Sequence, residues 1–478
     1  MTFNPDDAGL HQPQGLSAAK QALLKQRLSG RSARPSSSDF TIRPRPAAVP
    51  VSFAQRDLWF VDRLHRESTQ YNLTATLRFR GSFVQAALER ALHTLLDRHE
   101  ILRARFVEQD GEPFQVVDRS ATVAIDVISL RDLHPAVARA EVQTARRQAR
   151  ERSFDLSQAP LVRVQILNLS FDEHVLIRTI HHIACDALSE RIFDRELRLL
   201  YEAFRADRDA ALPEQTVQYA DFAVWQRDDQ HQLSLVRGRR FWTDYLADVP
   251  TTLSLPTARP RPPRQTFDGD LCHVTLSREQ SDAVRDLNNR HRTTLYMTLL
   301  AAFGSLLSRY TGQDDIVVGA PMTTRPAAAL ENVIGLFVNL LPLRVQVGSN
   351  DSFSAVLSRV REGALEAYAH QDVPFSQIVE DLAPERRPDA PPLVQVTFEL
   401  NSTTSEVGSA EPAGRSVEDH LNILKEIDTG GVPVRFELEV YGWERAGGIG
   451  LTWIYNRALF DRPWVEQLAR DYVRLLTA

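Results

Sequence analysis

The sequence predicts an α/β protein built as two lobes, and three observations carry that expectation. Its 478 residues exceed what one ordinary hydrophobic core organises. Between Val51 and about Trp225, apolar residues recur alternately with helical and with strand period. Finally, Leu253 to Thr266 interleaves Pro256, Pro260, Pro262 and Pro263 with Arg259, Arg261 and Arg264, which neither a helix interior nor a central strand accommodates. That segment reads as the crossing between lobes. The expected division is an adaptor with linker over 1–47, a first lobe over 48–250 and a second over 251–478.

Taken in order, Leu16, Leu23, Leu24 and Leu28 form an apolar stripe on a short helix that Ser17 can cap and Gly30 stops. The Ser- and Pro-rich stretch from Arg31 to Pro50 follows, with Asp39-Phe40-Thr41-Ile42 as its one strand-like piece. In the first lobe, Val84 to His99 is an amphipathic helix, Phe114 to Val117 is strand-like, and Pro135 to Arg152 is a charged helix with proline at its permitted first position. Val175 to Ile180 is apolar and β-branched, as a buried strand requires, and Ala187 to Phe204 has helical spacing. In the second lobe, Leu295 to Tyr310 and Phe353 to Ala369 read as helices and Asp315 to Gly319 as a buried strand. Strands follow at Val394–Leu400, Val434–Tyr441 and Gly448–Tyr455, then a last helix at Arg462–Leu476. Asn401 to Gly414 reads as a surface loop.

Charge is mixed: 56 basic against 62 acidic residues give a net of −6, without a block suited to nucleic acid. Nucleic acid is therefore not expected as a partner. Cys185 and Cys272 are too few for a disulfide framework or a metal knuckle, which fits a reducing cytoplasm. The N-terminus lacks a signal peptide's basic and apolar regions, and no window approaches the ~18 apolar residues of a membrane span. A soluble, monomeric cytoplasmic protein is the expectation.

The most informative stretch is His181-His182 with Asp186 and Ala187 behind it, because a strand delivers it and a helix leaves it. A histidine there can accept and return a proton near neutral pH, which an amine or hydroxyl attacking a carbonyl requires. Adjacent residues of a strand face opposite ways, so one histidine should be catalytic and the other structural. Asp186 can cap the helix or pair with an arginine, and the amides of Ala187 and Leu188 offer a positive field to an oxyanion. Cys185, three residues beyond His182, raises a Cys–His nucleophile as a further reading. On spacing alone the pair suits a structural role as well as a catalytic one, and acyl or proton transfer at a lobe interface is as far as the residues reach.

His181-His182-Ile183-Ala184-Cys185-Asp186-Ala187-Leu188-Ser189 resembles the His-His-x-x-x-Asp-Gly-x-Ser signature of condensation domains of non-ribosomal peptide synthetases. Ser52 to Trp59 resembles that family's first motif, Arg98 to Arg103 its second and Tyr219 to Trp225 its fourth. Ile334 to Asn339 with Arg344 resembles the fifth, and His370 to Phe375 the sixth. Six motifs in one order are not chance.

The resemblance implies two chloramphenicol-acetyltransferase-like lobes in a V-shaped pseudo-dimer, with the active site in a tunnel between them. A donor acyl or peptidyl chain would arrive as a thioester on the 4′-phosphopantetheine arm of a carrier protein. The acceptor, a small molecule or a second carrier-bound residue, would attack it directly to give an amide or ester. No cofactor bound by the protein itself and no metal are implied. The catalytic position maps to His182, as base or orienting group; His181 and Ser189 are supporting. Asp186 is expected to be structural, ion-paired with Arg103 or Arg344, and Asn339 to lie near the tunnel. Ala187 departs from the family's glycine, so its Cβ would narrow the tunnel or forbid a backbone angle that glycine allows. Ser376 replaces the commoner acidic residue, and Arg387 to Leu393 retains little of the seventh motif. The helix over 16–29 with a hairpin around 36–43 resembles a β-hairpin docking segment for an upstream subunit's tail. Together with a start at Met1, this favours a free-standing enzyme acting in trans, in a chain-release or inter-subunit step of a peptide or hybrid polyketide assembly line. The alternatives are a non-catalytic carrier-docking platform and an epimerase of the same superfamily.

Overall fold

The computed structural model describes residues 40–477 apart from 67, 386, 403–431 and 446–447. The helix expected over 16–29, the start of the expected hairpin and most of the Asn401–Gly414 loop lie outside the described residues.

The first lobe runs β1 (Val49–Pro50), α1 (Phe53–Leu64), β2 (Asn72–Arg80), α2 (Gln85–Arg98), β3 (Ala104–Gln109), β4 (Glu112–Val117), β5 (Ile125–Ser129), α3 (Pro135–Glu151), β6 (Val162–Asn168), β7 (Glu173–His181) and α4 (Ala187–Arg205). Then come α5 (Tyr219–Arg227), α6 (Asp229–Ser234) and α7 (Val236–Tyr245). The second lobe has β8 (Asp268–Thr275), α8 (Arg278–His291), α9 (Leu295–Thr311), β9 (Asp315–Thr323), β10 (Val338–Gln346), α10 (Phe353–Ala369) and α11 (Phe375–Leu382). It ends with β11 (Val396–Ser402), β12 (Val432–Pro433), β13 (Leu438–Arg445), β14 (Gly448–Asn456) and α12 (Arg462–Thr477).

Two main sheets organise the lobes, in orders β2-β7-β6-β5 and β10-β9-β11-β13-β14-β8-β12, with a small β1-β4-β3 sheet beside the first. β7 is central and buried along nearly its whole length, so its run of Val175, Leu176, Ile177 and Ile180 is apolar without alternation. It pairs antiparallel with β2, setting Asn72 against His181. The α4 helix starts at an Asp186 N-cap and lays Ile192, Phe193, Leu197 and Leu200 on the sheet. In the second lobe α9 is buried almost all round, which explains its largely apolar sequence.

Three expectations are corrected. The core changes sides before the proline-rich segment: Leu235, Trp242, Leu246 and Val249 already pack in the second core. In return, Leu330, Val333, Ile334, Leu336 and Phe337 of the second lobe pack in the first core. The lobes therefore exchange segments rather than meeting at one crossing. Phe40 to Ile42 is not a strand; Phe40 packs edge-on against Trp225 at 5.6 Å, and the Arg45 guanidinium fixes the linker by binding Asp221 at 2.7 and 3.1 Å and Glu100 at 2.7 Å. The strand expected from Val434 begins only at Leu438, because the Glu439 carboxylate accepts the amides of Arg435 and Phe436 and holds that stretch in a turn.

Candidate active site

β7 ends at His181, and a single 3₁₀ turn, His182 to Ala184, carries the chain to Asp186 and α4. The Gln55 side chain donates to the Ile183 carbonyl at 3.2 Å and so ties the turn to α1. The two histidines are treated differently. His181 is 3 % exposed; its Nδ1 accepts the Ile183 amide at 3.1 Å and its ring meets the edge of Phe154 at 5.8 Å. Burial and the neighbouring histidine hold it neutral, lowered to about 3.

His182 is half-buried. Its Nδ1 lies 2.6 Å from the Cys185 carbonyl, which can only accept, so Nδ1 carries the proton and Nε2 presents a lone pair. The His182 amide is anchored to the Tyr71 carbonyl at 2.8 Å, and the Tyr71 ring stands 6.3 Å from the imidazole. Burial first, and then the positive field of Arg435, lower the imidazole to about 4. His182 is therefore neutral at physiological pH.

Arg435 belongs to the second lobe and is close enough for its charge to act on the imidazole. It donates to the Tyr441 hydroxyl at 3.0 Å, which donates to Glu439 at 2.6 Å, and Glu439 lies 3.7 Å from the guanidinium. Glu399 stands opposite Tyr441 in the β11–β13 pair, and burial pushes its carboxyl up to about 7.

Asp186 is fully buried and accepts three hydrogen bonds: from the Ser189 amide at 2.8 Å, the Phe337 amide at 3.1 Å and Arg325 Nη2 at 3.1 Å. Arg325 also donates to Ser189 Oγ at 3.0 Å, and its guanidinium lies 3.9 Å from the Phe337 ring centroid. Ser189 Oγ in turn donates to the Gly335 carbonyl and accepts its amide. Gly335 is needed there: a Cβ would stand 1.9 Å from the Tyr219 ring, whose hydroxyl donates to the Leu336 carbonyl at 2.6 Å. The aspartate thus pins the inserted second-lobe segment beneath the histidine turn.

The expected Asp186 partners are corrected accordingly. Arg103 donates to the Leu96 and Asp97 carbonyls, where the C-terminus of α2 attracts a cation. Arg344 is bound by Asp315 across the β9–β10 pair. Asn339 spends its carboxamide on the turn before α11, donating to the Gln371 and Val373 carbonyls and accepting the Phe375 amide. Ala187 is the exposed first residue of a regular helix without a positive φ, so alanine meets no backbone strain here. The Cys–His reading fails: Cys185 is fully buried, and burial pushes its thiol well up. Three residues of the site, Tyr71, Arg325 and Arg435, are not among those the sequence singles out. Tyr71 leads directly into β2, which is a usable signal; Arg325 and Arg435 lie in irregular segments without periodicity.

The family model for the condensation domain matches residues 47–478. The chain belongs to the condensation-domain family. It is 40 % identical over 434 residues to a linear gramicidin synthase of Brevibacillus parabrevis, a match covering 91 % of this chain and 8 % of that protein. It is 35 % identical over 460 residues to phosphinothricin tripeptide synthetase PhsC of Streptomyces viridochromogenes, covering 95 % of this chain and 41 % of the relative. The condensation domain thus spans a minor part of these relatives. Among solved structures, the X-domain from teicoplanin biosynthesis superposes with a TM-score of 0.80 at 28 % identity, covering 91 % of this chain and 95 % of that one. A complex of the X-domain with OxyB from the same biosynthesis gives 0.77 at 29 % identity, covering 94 % and 95 %. The two lobes are the chloramphenicol-acetyltransferase-like α/β fold of condensation domains. Among the described residues no helix is long and apolar enough to cross a membrane, and no group of three or more His, Cys, Asp and Glu is arranged to hold a metal ion.

Proposed function

We propose that this condensation domain joins a carrier-bound acyl or peptidyl thioester to an amine or hydroxyl acceptor in non-ribosomal peptide synthesis. The observation carrying the proposal is His182: a half-buried, neutral imidazole whose tautomer is set by the Cys185 carbonyl, so that Nε2 carries the lone pair. The acceptor nitrogen or oxygen attacks the thioester carbonyl, Nε2 takes its hydrogen bond and passes the proton on, and the pantetheine thiolate leaves as the protonated thiol. The positive field of Arg435, which acts on His182, favours the negative charge that develops on the carbonyl oxygen. No covalent enzyme intermediate is needed. The in-trans role, with residues 1–47 receiving an upstream partner chain, is part of the same proposal.

The likeness to X-domains favours a second reading, a platform that binds partners without turnover. Intact-protein mass spectrometry decides between them. An acyl-loaded carrier is incubated with the protein and a panel of soluble and carrier-bound amines and alcohols, with His182→Ala alongside. Acyl loss matched by a new amide or ester, absent in the variant, supports condensation. A carrier that is bound but left acylated with every acceptor supports the platform.

A further inference from the structure

The period of the second-lobe strands sorts their side chains onto two faces of the sheet. On β11, Val396 and Phe398 are fully buried in the core and Leu400 packs against it, so Thr397 and Glu399 take the opposite face. On β13, Leu438 and Val440 belong to the same core, which puts Glu439 and Tyr441 on that opposite face as well. The β11–β13 register sets Thr397 against Glu439 and Glu399 against Tyr441. First-lobe groups lie on this side. Arg191 of α4 acts on Glu399, Arg435 acts on His182, and both Arg435 and Glu439 act on Tyr71.

The charges gathered here are matched, with one exception. Glu439 accepts the amides of Arg435 and Phe436 and the Tyr441 hydroxyl, and lies 3.7 Å from the Arg435 guanidinium. Arg435 in turn donates to Tyr441 at 3.0 Å. Glu399 forms no hydrogen bond or ion pair with a described residue. The groups facing it do not compensate its charge: the attraction of Arg435 is opposed by Glu439, Arg191 is exposed and acts most weakly, and Tyr296 of α9 is a neutral phenol that donates to the Phe398 carbonyl at 3.2 Å. Burial accordingly pushes the carboxyl up to about 7. Yet Glu399 keeps part of its surface accessible, so a solute can reach it. A cation placed there would pair with the carboxylate and draw off its proton, relieving the cost of the unmatched charge.

We propose that Glu399 is a specificity-determining residue that receives a protonated amine of the substrate, so that this chain selects a substrate carrying an ammonium over its neutral isostere. The proposal rests on the carrier-delivered substrates of the preceding section and adds a requirement to them. The ammonium has two possible sources, the acceptor's own amine before it loses its proton and a basic side chain on either substrate. A substrate with neither leaves Glu399 unmatched, which discriminates against it.

The test is binding, read by calorimetry, of three pantetheine thioethers of equal length: a hydroxyalkyl chain, the same chain with an amine in place of that hydroxyl, and the hydroxyalkyl chain with an added side-chain amine. Alkylamines stay cationic at both pH 6 and pH 8, so any change between these values comes from the protein. At pH 8 wild-type protein should bind one of the amino probes about tenfold more tightly than the hydroxyalkyl probe, the effect of one charge-assisted hydrogen bond. At pH 6, where Glu399 is largely protonated, the advantage should shrink to about twofold. The isosteric Glu399→Gln should bind all three probes alike at both pH values. Tightening with the first amine assigns the ammonium to the acceptor's reacting group, and tightening with the second assigns it to a basic side chain. Equal binding of all three probes by the wild type, or a preference that survives in Glu399→Gln, overturns the Glu399 assignment alone. Wild-type protein that binds none of the probes overturns the carrier-substrate reading itself, and with it the requirement.

Discussion

Replacing Asp186 by alanine removes the carboxylate beneath the histidine turn, and the contacts set the size of the effect. The substitution deletes the N-cap of α4, worth about 1 kcal/mol. It leaves the buried Phe337 amide without an acceptor, at a cost of about 1–3 kcal/mol. It also strands Arg325, 5 % exposed, whose Nε and Nη1 have no hydrogen-bond partner among the described residues; removing one member of a buried ion pair typically costs about 3–5 kcal/mol. These terms overlap, because one carboxylate serves all three, and a total of about 4 kcal/mol is expected. At ~2.1 cal mol⁻¹ K⁻¹ per residue, cooperative unfolding of the whole chain converts this to a fall of about 4 °C in Tm. Asp186→Ala, Arg325→Met and the double variant should be melted under near-ultraviolet circular dichroism. Because Arg325→Met removes the stranded charge, the double variant should lose less than the sum of the single losses, with a coupling of about 2 kcal/mol. Additive losses would refute the pinning role, and an unchanged Tm in Asp186→Ala with lost turnover would show that the carboxylate acts on the chemistry directly.

Arg435→Met should raise the His182 pKa from about 4 towards 6.5, because burial remains but the opposing positive field is gone; a histidine-selective NMR titration reads it, and an unmoved resonance refutes the electrostatic contact. Glu399, raised from 4.5 to about 7, binds its proton more tightly folded than unfolded, so its contribution to stability is present below pH 4.5 and is lost as pH rises through 7. Glu399→Gln should therefore gain stability relative to wild type between pH 4.5 and 7, by up to about 3 kcal/mol, and a pH-independent difference in denaturant melts would contradict the burial. Ala187→Gly should change stability by less than about 1 kcal/mol and preserve turnover wherever the wild type turns over, since the residue is an exposed helical N1; a rise in kcat of tenfold or more would show that the Cβ obstructs the substrate.

The fold is legible in the sequence where one local pattern decides the structure. The Val175–Ile180 run, the α4 stripe and the span Phe353–Ala369 each declare their period, and the structure places a strand and two helices there. The histidine turn is legible for the same reason, since both flanking elements are strongly patterned. The partner of Asp186 is not. Arg325 follows β9 in an irregular segment, and the Ile334–Phe337 piece that meets Asp186 packs in the core of the other lobe, a long-range exchange that no window of sequence contains. Arg103 and Arg344 are the reasonable expectations from motif membership, yet a helix C-terminus and a neighbouring strand's Asp315 satisfy them locally. Tyr71 is signalled only by its place at the entry to β2, and Arg435 gives no signal, because its field at His182 depends on how the lobes face each other.

That field bears on what His182 does in the proposed reaction. A base whose conjugate acid lies at about 4 is too weak to hold a proton taken from a neutral amine before attack. It is well suited to accepting a hydrogen bond from that amine, which orients the lone pair towards the thioester carbonyl. Once the carbon–nitrogen bond forms, the nitrogen becomes cationic and strongly acidic, and Nε2 can relay its proton to the departing thiolate without retaining it. The Cys185 carbonyl supports this order of events, because it fixes the proton on Nδ1 and keeps Nε2 free before the acceptor arrives. Arg435 contributes in the same sense: the field that weakens His182 as a base also favours the oxyanion formed in the attack step. For the proposed reaction, the lowered basicity and the fixed tautomer favour His182 as an orienting group and proton relay, with the positive charge of Arg435 favouring bond formation.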